Sequence, residues 1–386
     1  MKKILIVTDI SLSDSYNAGN KNGLLSLCAF LNNTGNCIVD ILNFHHSKPS
    51  ARLRLEYNIF HYPDFYNLLY RKFIEKLGTK SKLINYKNSY FRKLILKKLL
   101  KWNYDIVIIE YLENHHLVNI CRKYSKRVIC DLHDVMYLRR ESFISNGVLP
   151  SHENLNITLD EEANAISKFD AVIAVENSEK NFIEKLGLNT RVILCKRIPT
   201  KIIEHQTLTP DISESIIGFI GSAAEFNYST ILDFIENVWN NGLFREDYKL
   251  IIAGAVCERL EKNNTKIQGK YQILGKIPDV SNFYSLIHAS INPVWSGSGF
   301  KTKNAESLSY GVPVITSNNG IKGLEDISGQ YCKIIEKNDI SEWKNNLLDI
   351  FNEYKNKRNL KELCANHFKE ILSEENCFNE LREYLK

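Results

Sequence analysis

The feature that most constrains this chain is an alternation running along most of its length. Short runs rich in Val and Ile are each followed by a longer stretch with helical spacing. In the first half these runs are KILIVT (3–8), NCIVDILN (36–43), DIVIIEY (105–111), RVICDLHD (127–134), DAVIAVE (170–176) and RVILCK (191–196). In the second half they are SIIGFIGS (215–222), YKLIIAGA (248–255), YQILGK (271–276), ASINPVW (289–295), VPVITS (312–317) and YCKIIEK (331–337). Strand alternating with helix predicts a parallel sheet with crossover helices. Two such series are separated by KRIPTKIIEHQTLTPDISES, whose polar character and two prolines, Pro199 and Pro210, read as a linker. A chain of 386 residues with 44% hydrophobic content can bury two cores of this kind. The expectation is an α/β protein of two doubly wound domains, 1–198 and 199–369, with a charged helical tail over about 370–386. Each sheet would present the carboxyl ends of its strands to a shared cleft, where such folds bind ligands.

Several classes are excluded or disfavoured. The nine cysteines form no C-x-x-C pair and no His-linked zinc spacing, so reduced thiols in a cytosol fit best. The start MKKILIVTDISLSD reads as a first strand, because its apolar run is too brief for the core of a signal peptide. No stretch approaches the roughly 18 apolar residues of a membrane-spanning helix. The expected location is cytoplasmic, with a peripheral position on the inner face of the plasma membrane as an extension of that reading.

That extension comes from the charge. The formal net charge is +5, yet residues 70–103 hold eleven Lys or Arg against one acid, Glu75, which leaves the rest of the chain net acidic. Within this segment Phe91, Leu94, Ile95, Leu99 and Trp102 recur at helical spacing, with Arg92, Lys93, Lys97, Lys98 and Lys101 between them. Two readings stand side by side: a solvated helix packed on its domain, or a surface helix resting on anionic lipid. Nucleic acid is disfavoured, since no recognised motif accompanies the patch.

The stretch GSGFKTKNAE (297–306) carries the most chemistry. It is not a Walker A loop, because Phe300 separates Gly299 from Lys301, and it is not a dinucleotide fingerprint, because Thr302 stands where the third glycine belongs. A plain glycine turn before a helix does not need Lys301, Lys303 and Glu306 together. A helix N-terminus facing an anion does: free N–H groups and the dipole attract a phosphate, glycines permit close approach, and lysines add charge. Glu306, one turn in, can accept hydrogen bonds from two adjacent hydroxyls, as on a ribose.

Taken with its surroundings, PVWSGSGFKTKNAESLSYGVPVITSNNGIKGLE (293–325) resembles the donor-nucleotide motif of glycosyltransferase family 4, in a variant with Gly-x-Gly-x-Lys/Arg-x-Lys-x-x-Glu followed by Gly-x-Pro-Val. DLHDVMYLRRESF (131–143) resembles the His-Asp-Val segment of that family, and GFIGSAAEFN (218–227) the opening loop of its C-terminal domain. The resemblance implies a GT-B fold, with two Rossmann-like domains and a C-terminal helix that crosses back onto the first. It implies that Glu306 binds the donor ribose, that Lys301 and Lys303 lie near the diphosphate, and that Gly221 and Ser222 help hold the phosphates. It places backbone groups of Lys276 and Ile277 at the base. Gly299 belongs to the same donor loop. Many members of the family carry another glutamate eight positions before the first, contacting the donor sugar, and here that position is Ser298.

In the first domain NAGNKNG (17–23) follows the first strand, and Gly19 resembles the glycine whose backbone approaches the phosphates or acceptor; a plain β–α turn reads the same way. His133 and Asp134 follow a predicted strand, at the cleft-facing end, and are the candidate catalytic pair. Arg139 and Arg140 are candidates for binding an acceptor phosphate. Glu161 and Glu162 read mainly as charges at a helix start.

The function implied is transfer of a sugar, with retention, from a nucleotide diphosphate sugar to a glycan or polyprenyl-linked acceptor, in bacterial-type surface polysaccharide or glycolipid assembly. Lys301, Lys303 and the helix terminus would stabilise the departing diphosphate. No metal or other cofactor is expected, since no carboxylate cluster in the sequence argues for one. Two alternatives stay open: a nucleotide-sugar epimerase of the same fold, and a non-catalytic nucleotide-sugar-binding subunit, which Ser298 makes plausible. A nicotinamide dehydrogenase is disfavoured, because no G-x-G-x-x-G follows a predicted strand.

Overall fold

A computed structural model describes residues 1–14, 19–33, 37–65, 69, 90–147, 157–198, 214–336, 339–357 and 359–386. The chain divides into two compact units. The first comprises Met1–Thr200 with Gly297–Phe300 and Glu374–Lys386, and the second Lys201–Ser296 with Lys301–Ser373.

The first unit is built on seven parallel strands: β1 (Lys2–Thr8), β2 (Cys37–Asn43), β3 (Asn58–His61), β4 (Ile106–Glu110), β5 (Arg127–Asp131), β6 (Ala171–Ala174) and β7 (Arg191–Leu194). Their order is β3-β2-β1-β4-β5-β6-β7. Ile4 to Val7 and Ile106 to Ile109 are buried on both sides, as central strands covered by helices on each face must be. The order reverses between β1 and β4, so the segments leaving those strands diverge to opposite faces and open a crevice at their carboxyl ends. The second unit has six parallel strands: β8 (Ser215–Ile220), β9 (Tyr248–Ala253), β10 (Lys270–Gly275), β11 (Ala289–Asn292), β12 (Val314–Ser317) and β13 (Cys332–Ile335). Their order, β10-β9-β8-β11-β12-β13, places the reversal between β8 and β11.

The helix Glu374–Leu385 belongs to the first unit. Phe378 stacks on Phe30 with ring centroids 4.5 Å apart, and Glu380 pairs with Lys180 at 2.6 Å and accepts from the Leu194 amide at 2.9 Å.

Three features differ from expectation. Strand β3 was not foreseen; it is four residues long, lies at the sheet edge, and carries too little apolar alternation to stand out. Several strands end sooner than their apolar runs suggest, so His133 and Asp134 lie in the loop beyond β5. The basic helix Tyr90–Leu100 is rotated: Arg92, Leu96, Leu99 and Leu100 are buried, while Phe91 and Leu94 face outward and Trp102, just beyond, is also exposed. Arg92 is drawn inward by Asp64, whose carboxylate accepts from its Nε at 2.8 Å. Residues 70–89 of the basic segment and 199–213 of the expected linker lie outside the described residues. Lys196 and Arg197, which read as the start of that linker, are buried.

Candidate active site

In the second unit, four of the predicted donor residues, Gly221, Ser222, Lys303 and Glu306, gather near the carboxyl ends of β8 to β11. Three strand-end loops are tied in series: the Gly221 amide donates to Ala253 O at 3.0 Å, and the Gly254 amide to Gly275 O at 2.8 Å. Gly254 has φ +92°, and a Cβ there would stand 2.2 Å from the Gly221 carbonyl oxygen, so only glycine fits. This fixes the loop of Gly221 and Ser222. Asn227, in the helix Glu225–Phe234, donates from Nδ2 to Ser222 Oγ at 2.8 Å and to Ser222 O at 3.2 Å. Its Oδ1 accepts from Lys303 Nζ.

Lys303 lies in the helix Thr302–Ser309, whose N-cap, Lys301, makes no side-chain capping bond. The amides of Thr302 and Lys303 open that helix, and the Asn304 amide turns back to the Lys301 carbonyl at 3.0 Å. The Lys303 ammonium stands 5.2 Å from the centre of the Phe219 ring and 5.8 Å from that of Phe226. Burial pushes it down to about 7, against the pull of Glu306. An ammonium that lacks a full counter-charge is poised to gain one from a phosphate. Glu306 accepts from the Tyr284 hydroxyl at 3.1 Å. Burial raises its carboxyl above the usual range, opposed by the Tyr284 bond and by Lys303. Tyr284 is in turn gripped from behind by Lys361, which is buried and donates to the Tyr284 carbonyl at 2.8 Å.

The structure thus brings Gly221, Ser222, Lys303 and Glu306 into one constellation. Lys276 points elsewhere, pairing with Glu258 at 2.7 Å on the surface, while Ile277 packs against the cluster containing Tyr284. Asn227 and Tyr284 were missed as site residues. Asn227 lay inside the quoted loop sequence; Tyr284 had no local signal, because only the tertiary fold brings it to Glu306.

The first unit holds the other predicted residues. Glu110 ends β4 and Asp131 ends β5, and both are fully buried. His133 Nε2 bonds to Glu110 Oε2, and Arg197 Nη2 to Asp131 Oδ1. The His133 ring stacks on Tyr111 with centroids 4.2 Å apart, and the Tyr111 hydroxyl accepts from Asn20 Nδ2 at 2.8 Å. Gly19 is the first residue of that helix, Gly19–Asn33, one position before Asn20. Both ring-bearing residues have left-handed backbone, φ +62° at His133 and +65° at Tyr111. Such conformations cost about 1–3 kcal/mol each in a non-glycine residue and concentrate at functional sites.

Ser298 and Gly299, part of the first unit, lie against this loop. Ser298 Oγ is 3.4 Å from Asp134 Oδ2, and the Gly299 amide donates to Glu179 Oε1 at 3.0 Å. Gly299 has φ +74°, and a Cβ there would come within 3.0 Å of the His133 carbonyl, which explains the glycine.

Arg139 pairs with Asp134 at 3.3 Å, and Arg140 with its neighbour Glu141 at 2.7 Å. The helix they occupy, Met136–Ser145, has its opening amides satisfied internally. Val135 N donates to Glu179, and Met136 N and Tyr137 N donate to the two oxygens of Glu162. Glu162, read from sequence as a helix-start charge, is instead buried, and burial raises it to about 7. Glu161 does serve its own helix, closing a capping box with Thr158.

The sequence offered no carboxylate cluster, but the fold creates one. Ligand atoms of Glu110, Asp131 and His133 lie within 4.8 Å of one another. The guanidinium of Arg197 contacts Asp131 and supplies positive charge within this cluster.

Comparisons with known proteins agree with this architecture. Residues 214–353 match the family model described as glycosyl transferases group 1. No curated protein matches the chain in sequence. Among solved structures, the chain is similar to sucrose-phosphate synthase from Thermosynechococcus elongatus, with TM-score 0.70, 13% identity, and coverage of 100% of this chain and 98% of that one. It is similar to HepE from Anabaena in complex with UDP and glucose, with TM-score 0.64, 13% identity, and coverage of 100% and 99%. A mutant of S. aureus TarM in complex with Fondaparinux, alpha-GlcNAc-glycerol and UDP matches with TM-score 0.66, 12% identity, and coverage of 99% of both chains. The fold is GT-B. No helix among the described residues is long and apolar enough to cross a membrane.

Proposed function

We propose that this protein is a glycosyltransferase that moves a sugar, with retention, from a nucleotide diphosphate sugar to a glycan or polyprenyl-linked acceptor. The observation that carries this reading is the Ser222–Asn227–Lys303–Glu306–Tyr284 constellation beside an uncapped helix N-terminus, inside the segment that matches the glycosyltransferase model. Two of the structural neighbours are complexes with UDP, one with glucose and the other with alpha-GlcNAc-glycerol, and this favours a nucleotide sugar as donor.

In this reading Glu306, oriented by Tyr284, accepts hydrogen bonds from the two ribose hydroxyls. The diphosphate lies on the amides of Thr302 and Lys303, beside the Lys303 ammonium and the Ser222 loop. As the bond from the anomeric carbon to the phosphate oxygen breaks, its electron pair leaves with the diphosphate. Lys303 and the helix terminus stabilise that charge, with Lys301 at the helix cap adding to it. This division of labour needs no metal, and turnover undiminished by EDTA would accord with it. Backbone groups of Lys276 and Ile277 remain our assignment for the base. His133 meets the sugar or the acceptor. With the opening amides of its helix spent on Glu162 and Glu179, an acceptor phosphate would depend on Arg139 and Arg140 alone.

Ser298 and Asp134 lie together, which suggests that Asp134 takes over the sugar contact that family members make with a glutamate at position 298. A role in surface polysaccharide or glycolipid assembly fits the outward Phe91, Leu94 and Trp102 beside Lys97, Lys98 and Lys101, a combination suited to an anionic membrane surface. Titration calorimetry with nucleoside diphosphates tests the donor site: Glu306→Ala should weaken binding at least about tenfold, the scale of two lost hydrogen bonds to a charged acceptor. Unchanged affinity would overturn the assignment.

A further inference from the structure

The three charged groups around His133 form an arrangement that the donor-site reading does not use. Glu110 comes from the end of β4, Asp131 from the end of β5, and Arg197 from the segment after β7. All three are nearly or fully excluded from solvent. Around the ring they alternate in sign: Arg197 contacts Asp131, Asp131 accepts from the His133 backbone amide, and His133 contacts Glu110. Beyond these, Asp134 follows His133 in the chain and pairs with Arg139, and uncharged groups line the ring. Tyr111 stacks on the ring, the Asn20 amide bonds to Tyr111, and the buried Cys28 thiol is pushed up by burial and by the two carboxylates. Gly23 leaves the room that Arg197 occupies, since a Cβ there would stand 3.0 Å from Arg197 Cδ.

Two carboxylates and one guanidinium leave this enclosed cluster one positive charge short of neutrality. Isolated charge is costly where solvent is absent. The missing charge can sit only on the imidazole or, equivalently for the sum, as a proton on Glu110. Burial and Asp131 raise the Glu110 carboxyl against the pull of His133 and Arg197, while two carboxylates against one guanidinium raise the imidazole despite its burial, and that double contact places the charge on His133. Nε2 is committed to Glu110, which leaves Nδ1 as the nitrogen available to a ligand. Glu110 Oε1, Asp131 Oδ2 and Arg197 Nη1 are buried with no protein partner, so the cluster has spare capacity to hold ordered water around the ring.

We propose that Glu110, Asp131 and Arg197 hold His133 as an imidazolium at neutral pH, so that its Nδ1–H donates a charge-assisted hydrogen bond to a ligand oxygen and does not serve as a proton acceptor. Glu110 is then a positioning residue, fixing both the ring and its charge. Burial alone pushes the imidazole down, but Asp131 and Glu110 outweigh it and raise His133 above its ordinary range. The left-handed backbone at His133 and Tyr111 is the conformational cost of bringing the ring into this frame. What oxygen the imidazolium meets rests on the glycosyl-transfer reading; the protonation state is a property of the free protein and stands apart from it.

The test is NMR of the free protein labelled with nitrogen-15 in histidine. The His133 signals are assigned by their loss in His133→Gln. The expected result is an imidazole protonated on both nitrogens at pH 7, where an ordinary histidine is mostly neutral. Glu110→Gln should lower its protonation constant by at least about tenfold, and Glu110→Asp should restore part of it. A neutral His133 tautomer at pH 7 in the wild-type protein would overturn the proposal, as would a Glu110→Gln variant with an unshifted titration. Should Glu110→Gln fail to fold, the wild-type spectrum alone decides.

Discussion

Lys303 gives the donor site a proton signature. In the free protein burial holds its ammonium down to about 7. A diphosphate placed beside it would return it toward the ordinary lysine range, near about 10.4. At pH 8 only about one tenth of free molecules carry the charge, so binding should take up about 0.9 proton; at pH 6 the uptake from this group falls to about 0.1. The sign follows from the direction: a lowered free-state value raised by the ligand means proton uptake on binding, and affinity that falls as pH rises. From pH 6 to pH 8 the loss from Lys303 should be about tenfold. At pH 8 a phosphate monoester, with its second ionisation near about 6, contributes little. Calorimetry of a nucleoside diphosphate at pH 8, in phosphate and in Tris, measures the uptake from the difference in apparent enthalpy. Lys303→Met should bind more weakly and take up almost none. Zero uptake in the wild-type protein, or the same uptake in the variant, would refute the placement of Lys303 at the phosphates.

Tyr284→Phe removes the hydroxyl that orients Glu306 and should weaken nucleotide binding about three- to tenfold without unfolding the protein, read by calorimetry beside circular dichroism. Gly254→Ala places a Cβ 2.2 Å from the Gly221 oxygen in a left-handed conformation, and should cost at least about 2 kcal/mol in urea unfolding; a loss under about 0.5 kcal/mol would show that the strand-end loops are not locked together. The outward Leu94 and Trp102 with Lys97 and Lys98 predict salt-sensitive flotation with anionic vesicles, lost in a combined Leu94→Ser, Trp102→Ser, Lys97→Glu, Lys98→Glu variant. Equal flotation with neutral vesicles would speak against an electrostatic surface.

The parallel sheets were legible because central strands buried on two faces must read as unbroken apolar runs, which Ile4–Val7 and Ile106–Ile109 do. Strand β3 was not, because Asn58–His61 lies at the sheet edge and its residues are only partly buried or exposed. In the donor loop, charge beside glycine marked Lys303 and Glu306, but their partners Asn227 and Tyr284 come from other helices, and spacing along the chain carries no record of that meeting. The same holds for Glu110 and Arg197. Glu110 looked like an inner residue of a strand and Arg197 like linker, and only the parallel register of β4 with β5 sets Glu110 opposite Asp131. The basic helix shows a different limit. Its apolar residues suggested one buried face, yet Asp64 draws Arg92 inward and turns Phe91 and Leu94 outward. Polar partners distant in sequence, Asp64 and Asn114 with Asp9 nearby, hold Arg92 on the face that meets the core.

The central claim is that this chain transfers a sugar. The most direct test is to incubate purified protein with a panel of nucleotide sugars, with and without a lipid-linked glycan extract, and follow by mass spectrometry both nucleoside diphosphate release and the sugar's fate. The expected result is diphosphate release that depends on the extract, a glycosylated product that keeps the donor's anomeric configuration, and loss of both in Glu306→Ala. Conversion of the donor to an isomer without acceptor, or tight donor binding with no turnover under any acceptor, would contradict it.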